Sequence, residues 1–239
     1  MRPINKNPWP IENGIPKIYR PPSKAKSDLE GNLGNYCSYC EVYSSDLEVE
    51  HVISQNQDNT LVYNWDNYLL ACGRCNGKDN KATRPVALSS VHLPHRNNTF
   101  LSFRYKEGGY VIVNPLLSGH SKTNAENLLD LVCLDKIPGN PKYPKLNLND
   151  TRWNHRRIAW EYAKRKLPDY ESGILSANDI VEFALQRGFF SVWFSVYENH
   201  TPVKKLLVEL FEGTAKNCFD DINGYQPINR NTGNPIDPI

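Results

Sequence analysis

Two Cys-x-x-Cys pairs, Cys37 with Cys40 and Cys72 with Cys75, constrain this chain more than anything else in it. Each pair can present two thiolates to one metal ion. Four thiolates make a closed tetrahedral zinc site, which is structural rather than catalytic because no coordination position stays open. The 31 residues between Cys40 and Cys72 exceed what a minimal finger needs, so a folded segment must be looped out between the pairs. The first residues, Met-Arg-Pro-Ile-Asn-Lys, hold no apolar signal core, and there is no run of about 18 apolar residues. A cytoplasmic, reducing setting without a membrane is therefore expected, and there paired cysteines point to metal rather than disulfides. Cys133 and Cys218 stand alone and read as small buried apolar side chains.

At 239 residues, 39% of them apolar and 23% charged, the chain can bury a real core of one or two domains. A net charge of only +2 leaves any nucleic-acid face to local clustering. Inside the clasp lies Leu-Glu-Val-Glu-His-Val-Ile-Ser, residues 47–54. Its alternation predicts a short strand ending in the acid–histidine pair Glu50-His51. The run Trp65-Asp66-Asn67-Tyr68-Leu69-Leu70-Ala71 predicts a second strand leading into Cys72, and a helix is expected to start over 75–81.

These residue types suit phosphodiester hydrolysis. An attacking water must lose a proton, and histidine is the side chain that stays neutral and basic at cellular pH. The phosphate needs positive charge, which Mg²⁺ or Mn²⁺ supplies through hard oxygen ligands. Glu50 and Asn76 offer such oxygens, Asn80 would share a helix face with Asn76, and Lys78 and Lys81 are placed to contact phosphates.

Glu50-His51, Asn67 and Asn76, held between two Cys-x-x-Cys pairs, resemble the HNH endonuclease family with its ββα-metal core. Fifteen residues lie between His51 and Asn67, and eight between Asn67 and Asn76. The resemblance implies that His51 is the general base, Glu50 the acidic metal ligand and Asn67 the residue that braces the loop. It makes Asn76 the last ligand, in an HNN variant. Glu replaces the more usual Asp at 50 and Asn replaces His at 76, and neither change removes an oxygen ligand. Asparagine fills 27 of the 239 positions, so the placement of Glu50-His51 inside the clasp weighs more than either asparagine match. The opening Met-Arg-Pro-Ile-Asn-Lys, Tyr-Cys-Ser-Tyr-Cys-Glu and Trp-Asp-Asn-Tyr-Leu-Leu-Ala-Cys are also similar to the HNH proteins of Septu-type and retron-linked anti-phage modules. That similarity implies a defence role and an ATPase partner, and DNA is the expected substrate of the hydrolysis. The rival reading is a non-catalytic zinc ribbon that binds nucleic acid or protein. It keeps the four cysteines but has no need for Glu50, His51 and Asn76 to converge.

The expected architecture is α+β: a ββα-metal module with a structural zinc site, then a hairpin, then a mainly helical C-terminal region. In residue terms this is an N-terminal arm over 1–36, the nuclease module over 37–85, hairpin and loops over 86–150, and helices over 151–239. Gly108-Gly109 between two β-rich runs marks the hairpin. Helices are predicted over 153–167, from a Ser176–Asp179 capping box to about Gln186, and over 203–211, with 189–197 also assigned to helix. The aromatic run Phe189–Tyr197 and the amphipathic stretch Val203–Phe211 either pack the C-terminal core or, with the Pro-rich arm, dock a partner. The basic run Arg156–Lys166 is read as a solvated face, His92 and His95 as ordinary loop residues, and the tail after Asn223 as loose.

Overall fold

The Pro- and Lys-rich start does not reach away from the body: Met1, Arg2, Ile4 and Lys6 are buried. Arg2 sends its guanidinium to the carbonyls of Glu212 (2.5 Å) and Leu33 (3.1 Å). Lys6 donates to Trp65 O and Tyr68 O. Two cations can be buried here because ordered carbonyls replace their water. Ile11–Glu12 (β1) pairs with Ile15–Pro16 (β2), and here Ile11, Ile15 and Ile18 are exposed. Lys26–Leu33 (α1) follows. The computed structural model describes residues 1–77, 81, 84–144 and 150–239.

Leu47–His51 (β3) and Tyr68–Cys72 (β4) form an antiparallel ribbon, with Leu47 opposite Cys72 and His51 opposite Tyr68. Gly73–Asn76 (α2) starts directly after Cys72, two residues earlier than the sequence pattern predicts. Thr99–Ser102 (α3) is a helical turn directly ahead of the hairpin. Phe103–Lys106 (β5) and Tyr110–Val113 (β6) then make the hairpin, with Gly108 at φ 80° and Gly109 at φ 79°. Gly109 has a second reason to be glycine, because a Cβ there would strike the Trp153 carbonyl.

Gly119–Val132 (α4) leads to Arg152–Glu171 (α5), which is longer than its apolar pattern implied and includes Pro168. Ala177–Arg187 (α6) opens with the full Ser176/Asp179 capping box. Phe190–Val196 (α7) and Thr201–Leu210 (α8) complete the helical region, and Phe219–Asp220 (β7) pairs with Gln226–Pro227 (β8). Small antiparallel ribbons and a mainly helical C-terminal half give a mixed α+β fold.

The apolar core has two parts. One joins the first residues, α1, the zinc clasp, the β3–β4 ribbon, the hairpin and α4. The other centres on α7, where Phe190, Trp193, Phe194 and Tyr197 meet Val203, Leu207 and Phe211. Each such side chain contributes about 1.5–3 kcal/mol by burial, so these residues are committed to the core and are not a docking face. Arg156 departs from the solvated basic run: it is 1% exposed and bonds Gly109 O and Leu134 O.

The tail is held down as well. Asp237 accepts hydrogen bonds from His92 Nε2 (3.0 Å), Ser121 Oγ (2.8 Å) and Asn124 Nδ2 (2.5 Å). His92 is fully buried, and its Nδ1 lies 2.8 Å from Ser102 Oγ. This Ser-His-Asp chain has the order of a hydrolase triad, but Ser102 and His92 are sealed from any substrate, so it is a clasp. Burial holds His92 below its ordinary 6.5, with Asp237 opposing. Burial works to raise Asp237, but the bonds from His92, Ser121 and Asn124 outweigh it and leave the pKa below 3.8. Both folded-state values are depressed, so both contributions are present above the unfolded values and are lost as pH falls. Tail protection from hydrogen exchange over 229–239 is expected to weaken in two steps, starting below 6.5 and again below 3.8. Asp237→Asn should remove the lower step, and an unchanged two-step profile in that variant would refute the clasp.

Candidate metal and catalytic centre

The Sγ atoms of Cys37, Cys40, Cys72 and Cys75 all lie within 4.8 Å of one another, with Cys40 and Cys72 3.6 Å apart. Tetrahedral zinc with Zn–S bonds of about 2.3 Å needs sulfurs about 3.8 Å apart, so this spacing fits zinc. Backbone geometry delivers the thiols. Cys37–Cys40 is a tight knuckle closed by Glu41 N to Cys37 O at 2.9 Å, and Ser38 N to Leu70 O at 2.8 Å pins it on β4. Cys72 ends β4, and Cys75 lies in α2. The Cys72 amide donates to Cys37 Sγ at 3.4 Å. Burial pushes the Cys37 thiol up, contacts with the other thiols push Cys40 up, and the same contacts hold Cys72 down. Four thiols this close, three of them buried and Cys72 half-buried, cannot all ionise beside one another without a cation, which is the chemistry of a metal-binding set.

The ribbon inside the clasp carries the other candidates. His51 ends β3, with its ring edge-on to Tyr68 at 5.2 Å. Its Nε2 lies 3.0 Å from Val62 O, a carbonyl that also accepts from Tyr68 Oη at 2.6 Å. A carbonyl only accepts, so a neutral His51 must carry its proton on Nε2 and keep the Nδ1 lone pair free. Asn67 is buried and locks the loop between the strands: its Oδ1 accepts from Ile53 N at 2.7 Å and its Nδ2 donates to Ile53 O at 2.9 Å. That loop, from Val52 to Asn67, supplies the Val62 carbonyl. A cavity of about 380 Å³ opens beside it, lined by Ile53, Asn64, Asp66, Asn67 and His95.

Glu50 is wholly buried, with Tyr39 Oη donating to Oε2 at 3.0 Å and the Lys81 ammonium paired to Oε1. Lys81 also donates to His51 O at 2.6 Å and is 2% exposed, so it is not the free phosphate contact expected of it. Taking a carboxylate and an ammonium out of water is costly, and their pairing offsets part of that cost. Asn76 bonds a different carboxylate from Glu50. Its Nδ2 donates to Glu48 Oε2 at 2.9 Å. Strand alternation puts Glu48 and Glu50 on one face of β3, so two carboxylates and the Asn76 amide border one side of the ribbon. Asn80 and Lys78 lie outside the described residues. Glu48, Tyr39 and Lys81 are the neighbours that sequence reasoning missed or misplaced. Period-two alternation was the signal for Glu48, whereas nothing local pointed to Tyr39.

A family model of the HNH endonuclease matches residues 35–82, the stretch that holds the knuckle, the ribbon and α2. This chain carries an HNH endonuclease domain. A curated relative, the Septu protein PtuB of Bacillus thuringiensis, is 38% identical over 79 residues. That match covers 30% of this chain and 30% of the relative. The HNH domain, residues 35–82, is about a fifth of the chain. Among the described residues no helix is long and apolar enough to cross a membrane.

Proposed function

We propose that the protein is a metal-dependent endonuclease that hydrolyses phosphodiester bonds in DNA, as the effector of an anti-phage defence system in the cytoplasm. The observation that carries this reading is the His51 ring, tied through Nε2 to Val62 O so that Nδ1 is left as a base. In the proposed step, Nδ1 takes a proton from water as the water oxygen attacks phosphorus, and the bond to the leaving oxygen breaks. Asn67 keeps Val62 in place by fixing the loop, which holds the imidazole to one tautomer. Glu50, Asn76 and Asn80 are the proposed oxygen donors for Mg²⁺ or Mn²⁺, with Glu48 beside them. When bound, that ion stabilises the charge on the phosphate and leaving oxygen. The four cysteines hold zinc and keep the ribbon and knuckle together. Similarity to a Septu protein supports the defence role, and an ATPase partner follows from the same resemblance. We assign 1–36, 37–85, 86–150 and 151–239 as the arm, nuclease module, hairpin region and helical region.

The test is incubation of the purified protein with plasmid, linear single strands and RNA, with Mg²⁺ or Mn²⁺. Metal-dependent cleavage of DNA is expected, and no cleavage of any substrate with either ion would favour the zinc-ribbon reading. Glu50→Gln and Asn76→Ala should each raise the divalent-ion concentration needed for half-maximal cleavage about tenfold or more while leaving zinc content unchanged. Oxygen donors and thiolates select different metals, so the two sites respond separately. An unchanged metal titration in both variants would move the ligand set elsewhere, with Glu48 the next candidate.

A further inference from the structure

Arg152, at the first position of α5, points into the zinc clasp. Its Nη1 lies 3.2 Å from Cys75 Sγ and 2.8 Å from Val132 O. Nη2 donates to Cys133 O at 3.1 Å and Asp150 Oδ2 at 2.8 Å, and Nε to Asp150 Oδ1 at 2.9 Å. All five guanidinium donors therefore have acceptors. Three elements meet at this one side chain: the clasp through Cys75, the carbonyl end of α4 through Val132 and Cys133, and the start of α5 itself. Arg152 is 5% exposed, and Arg156 follows one helical turn later at 1%.

Four thiolates on Zn²⁺ carry a net charge of about −2. In a buried setting that charge is stabilised by N–H donors directed at the sulfurs; Asp150 holds the Nε and Nη2 edge of Arg152 and leaves Nη1 directed at Cys75. We propose that Arg152 is a positioning residue for the zinc site: it donates to the Cys75 thiolate, offsets the cluster's charge, and makes zinc occupancy hold α5 and the end of α4 onto the HNH domain. Zinc then governs the seating of the helical region as well as the fold of the nuclease ribbon. By linkage the effect is reciprocal, so loosening Arg152 loosens zinc. The inference rests on the reading of the four cysteines as a zinc site.

Arg152→Lys keeps the charge and most of the stem but removes the fork. It is expected to speed zinc loss to a chromogenic chelator about tenfold, in line with the 10–100-fold typical of partners that bond to metal ligands. In the cobalt-substituted protein, the thiolate-to-metal charge-transfer band should shift to longer wavelength, because a thiolate freed of its N–H donor holds its electrons less tightly. A purely structural arginine would not move that band. Unchanged release and an unshifted band in a folded Arg152→Lys protein would overturn the proposal. Should that variant fail to fold, hydrogen exchange on the parent decides. Chelation of zinc is expected to deprotect amides over 152–157 and the last turn of α4 while α6 and α8 stay protected, and full retention at 152–157 would overturn it. A parent protein purified folded but free of zinc and other metal would end the zinc reading and this inference with it, whereas zinc-bound parent with indifferent Arg152 variants ends only the inference.

Discussion

His51→Ala is expected to lower DNA cleavage by about 10²–10⁴-fold, the range a general base contributes, with zinc content and melting temperature close to the parent. The selectivity of the loss follows from the geometry. His51 is only half-buried, and the one polar partner of its ring among the described residues, Val62 O, keeps the Tyr68 hydroxyl when the imidazole goes. The stability cost should therefore stay within about 1 kcal/mol. Asn67→Ala gives the contrasting result. It breaks both bonds to Ile53, frees the loop that carries Val62, and should lose activity together with local order. Single-turnover cleavage under saturating Mn²⁺ separates these cases from weakened metal binding. Full activity in His51→Ala would assign the base to another group.

The second large effect is on folding. Cys40→Ser should remove zinc and unfold the HNH domain, because a closed four-thiolate site has no spare ligand. Structural zinc contributes about 10–16 kcal/mol in small domains, against about 5–15 kcal/mol for the net stability of a whole protein. The ribbon around the site is two five-residue strands and a four-residue helix, so the four thiols are the link that ties the knuckle to the end of β4 and to α2. Metal analysis with hydrogen exchange over 37–77 would check this, and a zinc-free variant that keeps native protection there would refute it. The helical core around α7 shares few side chains with the clasp, so its protection should persist longer than that of β3 and β4.

The sequence by itself determined the clasp, the ribbon and the helices after residue 150, whereas α4 lies in the stretch read as hairpin and loops. Cys-x-x-Cys spacing is set by chemistry that tolerates little variation, strand alternation by the pleat, and the Ser176 cap by hydrogen bonds three residues apart. Those are local rules, and a local pattern carries them. Tertiary structure alone decided how distant polar groups pair. Nothing near Arg156 marks it as buried, since its acceptors lie on a hairpin turn and after α4. Glu50 reads as an open ligand until Tyr39 and Lys81 each take one of its carboxylate oxygens. The tail reads as loose by composition, yet Asp237 is fixed by residues more than 110 positions away. Arg152 looks like one basic residue among many until the packing of α5 sets it 3.2 Å from a cysteine 77 positions earlier. In each case the deciding term is the removal of a charged or polar group from water, which costs free energy unless a partner is present, and only the folded chain brings that partner near.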